Sequence, residues 1–192
     1  MTRYLLFFAT GNPHKVAEVT RVLREYPLIL HPLPVKGAEI QADTVTAIAE
    51  ASALNAARTT DLPLIVEDTG LFIDALRGFP GPYASYVQAT IGNAGVLRLL
   101  DGVETRTATF RSTVAFCEPH GRPVSFTGVV EGRIARRGRG RHGFGFDPIF
   151  EPTGGEGRTL AEMEMTAKNR VSHRGRAVRA FAAWYVERCT PR

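Results

Sequence analysis

The sequence is poor in sulfur and poorer still in lysine. Its two cysteines, Cys117 and Cys189, lie far apart and fit no metal or redox spacing. Ordinary thiols in a reducing compartment are expected, with neither a disulfide framework nor a zinc site. No apolar run approaches the roughly 20 residues that a membrane span requires. The opening "MTRYLLFFATGN" is too short for a secretory signal and runs straight into a motif. A cytoplasmic protein without a membrane partner is therefore expected. Of 24 basic residues only three are lysine, and the net charge is +5. That surplus favours an anionic partner, whether nucleic acid, phosphorylated metabolite or lipid surface, without choosing among them.

What is present suits one globular domain over residues 1–192, with 44% hydrophobic and 22% charged residues. "RYLLFFA" (3–9) reads as a buried strand closed by Thr-Gly-Asn. From Pro13, the apolar positions Val16, Val19, Leu23 and Tyr26 follow helical spacing, with Asn12 as N-cap. "LILHPL" (28–33) reads as a second strand, and an alanine-rich helix is expected over about 44–59, capped by Asp43 or Thr44. "LPLIVED" (62–68) is a third strand, followed by a tight Thr-Gly turn and "GLFIDAL". "RGFPGPYAS" reads as a loop before a helix near 92–100. "TATFRSTVAFCE" and "VSFTGVVEGRIA" alternate like a long hairpin with "PHGRP" as its turn. "IFEP" is a short strand, and helices are expected at 166–170 and from Ser172. In the last of them Val178, Phe181, Ala182 and Tyr185 make a core stripe. Early alternation of strand and helix with a central hairpin predicts a mixed α/β fold.

Four stretches can carry chemistry. In "TGNPHK" (10–15) a strand, a turn and a helix start expose backbone N–H groups that suit a phosphate. His14 and Lys15 sit there although cations at a helix start are unfavourable by about 0.3–1 kcal/mol each. Either a ligand supplies the negative partner or Lys15 is an exposed lysine tolerating a small penalty. The pattern recurs in "KNRVSHRGRA", where Ser172 caps a helix whose first turn holds His173 and Arg174, just after Lys168. In "IVEDTG", Glu67 and Asp68 close an apolar strand, where α/β proteins place ligand sites. Hard oxygens there suit Mg²⁺, with Glu39 as a possible second ligand; the alternative is a solvated acidic turn. In "HGFGFDPIF", Phe144 or Phe146 could lie against a flat ligand, with Asp147 as a polar handle or cap; a hairpin turn with core aromatics is the plainer reading. A fifth stretch, "RIARRGRGRH" (133–142), could bind nucleic-acid backbone or be a solvated loop.

"TGNPHK", "VEDTGLFIDALRGFPGPY", "FGFDPIF" and "TLAEMEMTAKNRVSHRGRA" together resemble the inosine triphosphate pyrophosphatase family, in its order and spacing, from about residue 5 to 182. The resemblance implies an elongated α/β sheet flanked by helices, two lobes around a central cleft, and a homodimer. It implies Mg²⁺-dependent hydrolysis of deaminated purine nucleoside triphosphates (ITP, dITP, XTP) to the monophosphate and pyrophosphate, which cleanses the nucleotide pool. Carried over by position, Thr10, Gly11, Asn12, Pro13, His14 and Lys15 hold the triphosphate. Glu39 and Asp68 match the magnesium ligands, and Asp68 also matches the proton acceptor. Thr69 contacts substrate, and Phe144, Gly145, Phe146 and Asp147 match the base loop. Lys168 matches a phosphate or base contact, and His173 and Arg174 match the groups that read the purine. No stable nucleic-acid partner is expected. This chain departs from many relatives near Ala51 and at Ser85, where they carry lysine, and near Thr46, where they carry an acid; Asp43 and Glu50 are the closest substitutes. The arginines of 133–141 are a possible compensation for the missing cations.

Overall fold

The computed structural model describes residues 3–35 and 40–189. The run Tyr4–Ala9 forms β1 and Pro13–Leu23 forms α1. Asn12 caps α1: its side-chain oxygen accepts from the backbone N–H of His14 (2.9 Å) and of Lys15 (3.3 Å). β2 (Leu28–Leu33) pairs parallel with β1. The next helix, α2 (Val45–Thr60), starts at Thr44, whose hydroxyl accepts from Ala47 N–H, so Thr44 and not Asp43 is the cap.

β3 spans Leu64–Ile73 without interruption, and the tight turn expected at Thr69–Gly70 is absent. Its antiparallel register with β5 (Thr107–Cys117) runs unbroken from Leu64 opposite Cys117 to Ile73 opposite Ala108. The glycine marks a close approach: a Cβ at Gly70 would lie 2.7 Å from the carbonyl oxygen of Gly81. Gly81 belongs to β4 (Pro80–Gly81), which pairs with the end of β3. The Gly/Pro-rich stretch thus holds β4 and leads into α3 (Ala84–Thr90), ahead of α4 (Gly92–Leu99). β6 (Val124–Ile134) forms the expected hairpin with β5. β7 (Phe150–Pro152), α5 (Met165–Val171) and α6 (His173–Cys189) complete the chain.

The seven-stranded sheet has the order β2-β1-β3-β5-β6-β7, with β4 on β3. β1 runs parallel to both neighbours and the remaining pairs are antiparallel. Alternation along the strands feeds two layers. Leu6, Phe8, Ile65, Val114 and Phe116 meet α1 and α6, including Val178, Phe181 and Ala182 of the expected stripe. Ala9, Leu64, Ala115 and Cys117 face the alanines of α2, whose small side chains let the helix sit close to the sheet. At the far end of the sheet a third core forms around Phe110, Phe150, Ile149 and Leu71, joined by Val87 and Val96 of α3 and α4. Separate cores at the two ends give two lobes, and a cleft opens between them.

Candidate active site

The cleft has a volume of about 930 Å³. It is lined by Thr10, Gly11, Asn12 and Lys15 from the β1–α1 turn, and by Asp68 and Thr69 from β3. Phe144, Gly145, Phe146 and Asp147 line it from a loop, and His173 and Arg174 from the start of α6. Residues scattered over more than 160 positions of sequence therefore line one cleft. Of the other residues singled out in the sequence, Glu39 lies outside the described residues, Pro13 and His14 stand at the α1 start, and Lys168 is buried behind the wall.

Both cationic helix starts have partners within the protein. Lys15 Nζ lies 2.9 Å from a carboxylate oxygen of Glu67 and donates to the Glu67 carbonyl at 2.9 Å. Arg174 reaches Glu67 at 3.1 Å and Glu18 at 2.6 Å. Lys168 bridges Glu18 and Asp147, each at 2.5 Å. The negative charge expected from a ligand is thus partly supplied by Glu67 and Glu18. Most backbone donors of the turn are also in use: Thr10 N–H donates to Leu33 O, Asn12 N–H to the Thr10 hydroxyl, and the next two to Asn12. The Glu67 carboxylate is already engaged by Lys15 and Arg174. Its side chain is fully buried and also accepts from the hydroxyls of Ser112 and Thr69.

Burial opposes ionisation of Glu67, but Arg174, Lys15 and those two hydroxyls outweigh it and hold the carboxyl well below the usual carboxylate range. Glu18 follows the same pattern, burial being overcome by Arg174 and Lys168. At Asp147 burial prevails over Lys168 and pushes the carboxyl upward. His173 is buried, and desolvation together with repulsion from Arg174 pulls its pKa well below that of a free imidazole. It is neutral at pH 7, and its ring stacks on Phe110 at 4.3 Å.

Of the two candidate ring platforms, Phe146 is packed into the third core, and Phe144 is the half-buried one. His14 stacks on Phe144 with centroids 5.1 Å apart, and Lys168 Nζ and Arg174 Cζ stand 5.1 and 5.2 Å from the same ring. Asp147 is the anchor of this loop, accepting from Phe144 N–H at 2.7 Å.

Among the described residues no group of three or more His, Cys, Asp or Glu side chains could hold a metal ion. Mg²⁺ does not need one, being held by one or two carboxylates together with substrate phosphates and water. Asp68 presents a hard oxygen donor to the cleft beside the cations, so the residues fit a magnesium–phosphate group. The arginine stretch lies elsewhere. Arg133, Arg136, Arg137 and Arg139 line a separate pocket of about 590 Å³. Arg133 and Arg139 pair with Glu151, and Arg136 pairs with Glu104. None of these arginines lines the cleft, so they do not compensate there for missing lysines.

A profile of the Ham1 family matches residues 6–184. This chain belongs to the Ham1 family. The dITP/XTP pyrophosphatase of Methanopyrus kandleri is 49% identical over 180 residues, covering 94% of this chain and 95% of that protein. The dITP/XTP pyrophosphatase of Thermococcus kodakarensis is 48% identical over 182 residues, covering 95% and 97%. The solved structure of a HAM1 protein from Coxiella burnetii superposes with a TM-score of 0.83 at 33% identity, covering 97% of this chain and all of that one. The resemblance read from the motifs holds, and so does the fold it implied.

In this Ham1 chain Ser85, where the resemblance implies a lysine in relatives, lines the cleft, and so does Ser52, next to Ala51. The acidic substitute Glu50 accepts from Ser125 at 2.6 Å, and Thr46 pairs its hydroxyl with that of Thr113 at 3.0 Å. Nothing in the sequence singles out Glu18. On a helix start full of cations it looks like an ordinary amphipathic position, and its partners lie about 150 residues away.

Proposed function

We propose that this chain hydrolyses deaminated purine nucleoside triphosphates (ITP, dITP and XTP) to the monophosphate and pyrophosphate, with Mg²⁺. The observation that carries the proposal is the joining of Asp68, Lys15 and Arg174 in one cleft of nucleotide size. Membership of the Ham1 family, and relatives named dITP/XTP pyrophosphatase, support the same activity.

In this reading the β1–α1 turn and Lys15 hold the phosphates. Mg²⁺ held by Asp68 and the substrate phosphates would offset phosphate charge and supply Lewis-acid assistance. Asp68 accepts the proton of the attacking water. Lys15 and the helix start stabilise charge developing on the leaving pyrophosphate. Thr69 positions substrate beside Arg174, to which its hydroxyl is bonded at 3.2 Å. Phe144 lies against the base, with His14 yielding the face it now covers. Lys168 holds Asp147 and so keeps the loop in place. Glu39 completes the metal ligands.

We also propose one domain, a cytoplasmic location and a homodimer. No helix among the described residues is long and apolar enough to cross a membrane. The decisive assay is pyrophosphate release from ITP, dITP, XTP, GTP and ATP, with and without Mg²⁺. The first three are cleaved fastest and only with the metal. Equal rates on all five, or full activity in chelator, overturn the proposal. Light scattering of the eluted protein gives twice the 21.0 kDa chain mass if the dimer is right.

A further inference from the structure

The loop that carries Phe144 has little backbone structure to hold it. Between His142, whose N–H donates to Ala161 O, and the tight helical turn at Asp147–Ile149, it runs through bends. Gly145 stands in the left-handed region at a φ of 61°. Phe144 N–H is fixed by Asp147, which Lys168 holds from α5. The carbonyl of Gly145 is fixed from a different element: Asn93 of α4 donates its amide to it at 3.0 Å.

Asn93 serves that loop rather than its own helix. It is the second residue of α4, whose N-cap is Ile91 with no side-chain cap bond, so this asparagine does not do the capping that suits its type. Its Oδ1 is buried with no partner among the described residues, which leaves the bond to Gly145 as the side chain's link. The amide cannot be turned over, because its oxygen would then face the carbonyl oxygen. Gly145 lines the cleft and Asn93 does not, so Asn93 touches the loop and not the space that a ligand fills. The ring of Phe144 is covered by His14, which is exposed at the start of α1. With the loop tied to α4 and α5, His14 is the partner that can turn away.

We propose that Asn93 is a positioning residue for the base of the nucleotide: its amide holds Gly145, and so keeps Phe144 in place while His14 leaves the ring and a purine takes its face. The inference rests on the proposed reading of Phe144 as the base platform. A ring that is already held gives its full contact to a ligand. A loose one must be ordered when the ligand arrives, and that ordering is subtracted from affinity. In the same reading the triphosphate is gripped by other elements, the β1–α1 turn and Lys15. Loss of the Asn93 bond therefore weakens the hold on the base and leaves the hold on phosphate as it was. Stacking tolerates any base, so ITP and XTP share the loss and the choice between them does not change.

The test uses the full-length wild type, Asn93→Ala and Asn93→Asp. Alanine removes the amide and is the better helix former. Aspartate keeps the shape, replaces the donor by an acceptor and suits a first helical turn, so neither change weakens α4 itself. KM for ITP and for XTP is expected to rise about fivefold in each variant, the worth of one hydrogen bond, with kcat unchanged. Inorganic triphosphate, which has no base, is the competitive inhibitor, and its Ki is expected to stay at the wild-type value. A KM left unchanged in either variant overturns the inference while the proposed function stands. A Ki that rises in step with KM also overturns it, because Asn93 would then support the cleft as a whole. A wild type that releases no pyrophosphate from ITP, or that inorganic triphosphate does not inhibit, overturns the proposed reading of the cleft and the inference with it.

Discussion

Glu67 and Asp68 are neighbours on β3 and are turned to different tasks by the pleat of the strand. Both border the cleft, but the Glu67 side chain is sealed under Ser112 and Thr69 with Lys15 and Arg174 as counter-ions, whereas Asp68 is only half-buried. Asp68→Asn keeps the shape and removes a proton acceptor. Turnover is expected to fall by about 10²–10⁴-fold with the melting temperature nearly unchanged; a rate near that of the wild type sinks the assignment. Glu18→Gln acts on stability instead. It leaves Lys168 and Arg174 buried with one carboxylate fewer, and breaking a buried pair from one side costs about 3–5 kcal/mol. Urea unfolding measures this, and a loss below about 1 kcal/mol would show that the network is not needed to offset buried charge. The two acids also mark a limit of sequence reading. An acidic pair at a strand end is legible, but which member is buried depends on strand phase and on partners from α1 and α6.

At the scale of elements, α6 matters because its first turn brings His173 and Arg174 to the cleft, and β6 sets where that turn can sit. A Cβ on Gly128 would lie 2.1 Å from His173 O and 2.5 Å from Ala177 N. Gly128→Ala therefore pushes the helix start outward. Overpacking of this kind costs about 1–3 kcal/mol, and here it also displaces two cleft residues. The expected result is a lower urea midpoint together with reduced activity toward ITP, whereas a stability loss with full activity would show that the helix start does not position the site. The hairpin, the Asn12 and Thr44 caps and the α6 stripe could be read from the sequence because each is encoded by residues close together. α3 was missed because the Gly/Pro run before it reads as loop, and its seven residues are too few to show a helical period. The turn expected at Thr69–Gly70 failed for the opposite reason: that glycine answers to Gly81, a contact that exists only after folding.

The whole molecule carries its charge network across both lobes, and its response to acid follows from the direction of each pKa shift. His173 is kept neutral by burial and by Arg174, so below about pH 6.5 the unfolded chain binds a proton that the folded chain refuses. Stability then falls as pH falls. Glu18 and Glu67 have folded pKa values below their unfolded ones, so below about pH 4.3 the unfolded state again takes up more protons. Their contribution is present above that value and is lost as pH drops toward the folded pKa. Asp147 runs the other way: burial raises its pKa, so the folded state binds its proton first and partly offsets the loss. The urea midpoint is thus expected to be level near neutral pH, to decline gently below about pH 6.5 and steeply below about pH 4.3. His173→Gln should abolish the gentle phase and leave the steep one. A midpoint that stays level from pH 7 to pH 4.5 would mean that the cleft imidazole accepts a proton in the folded protein.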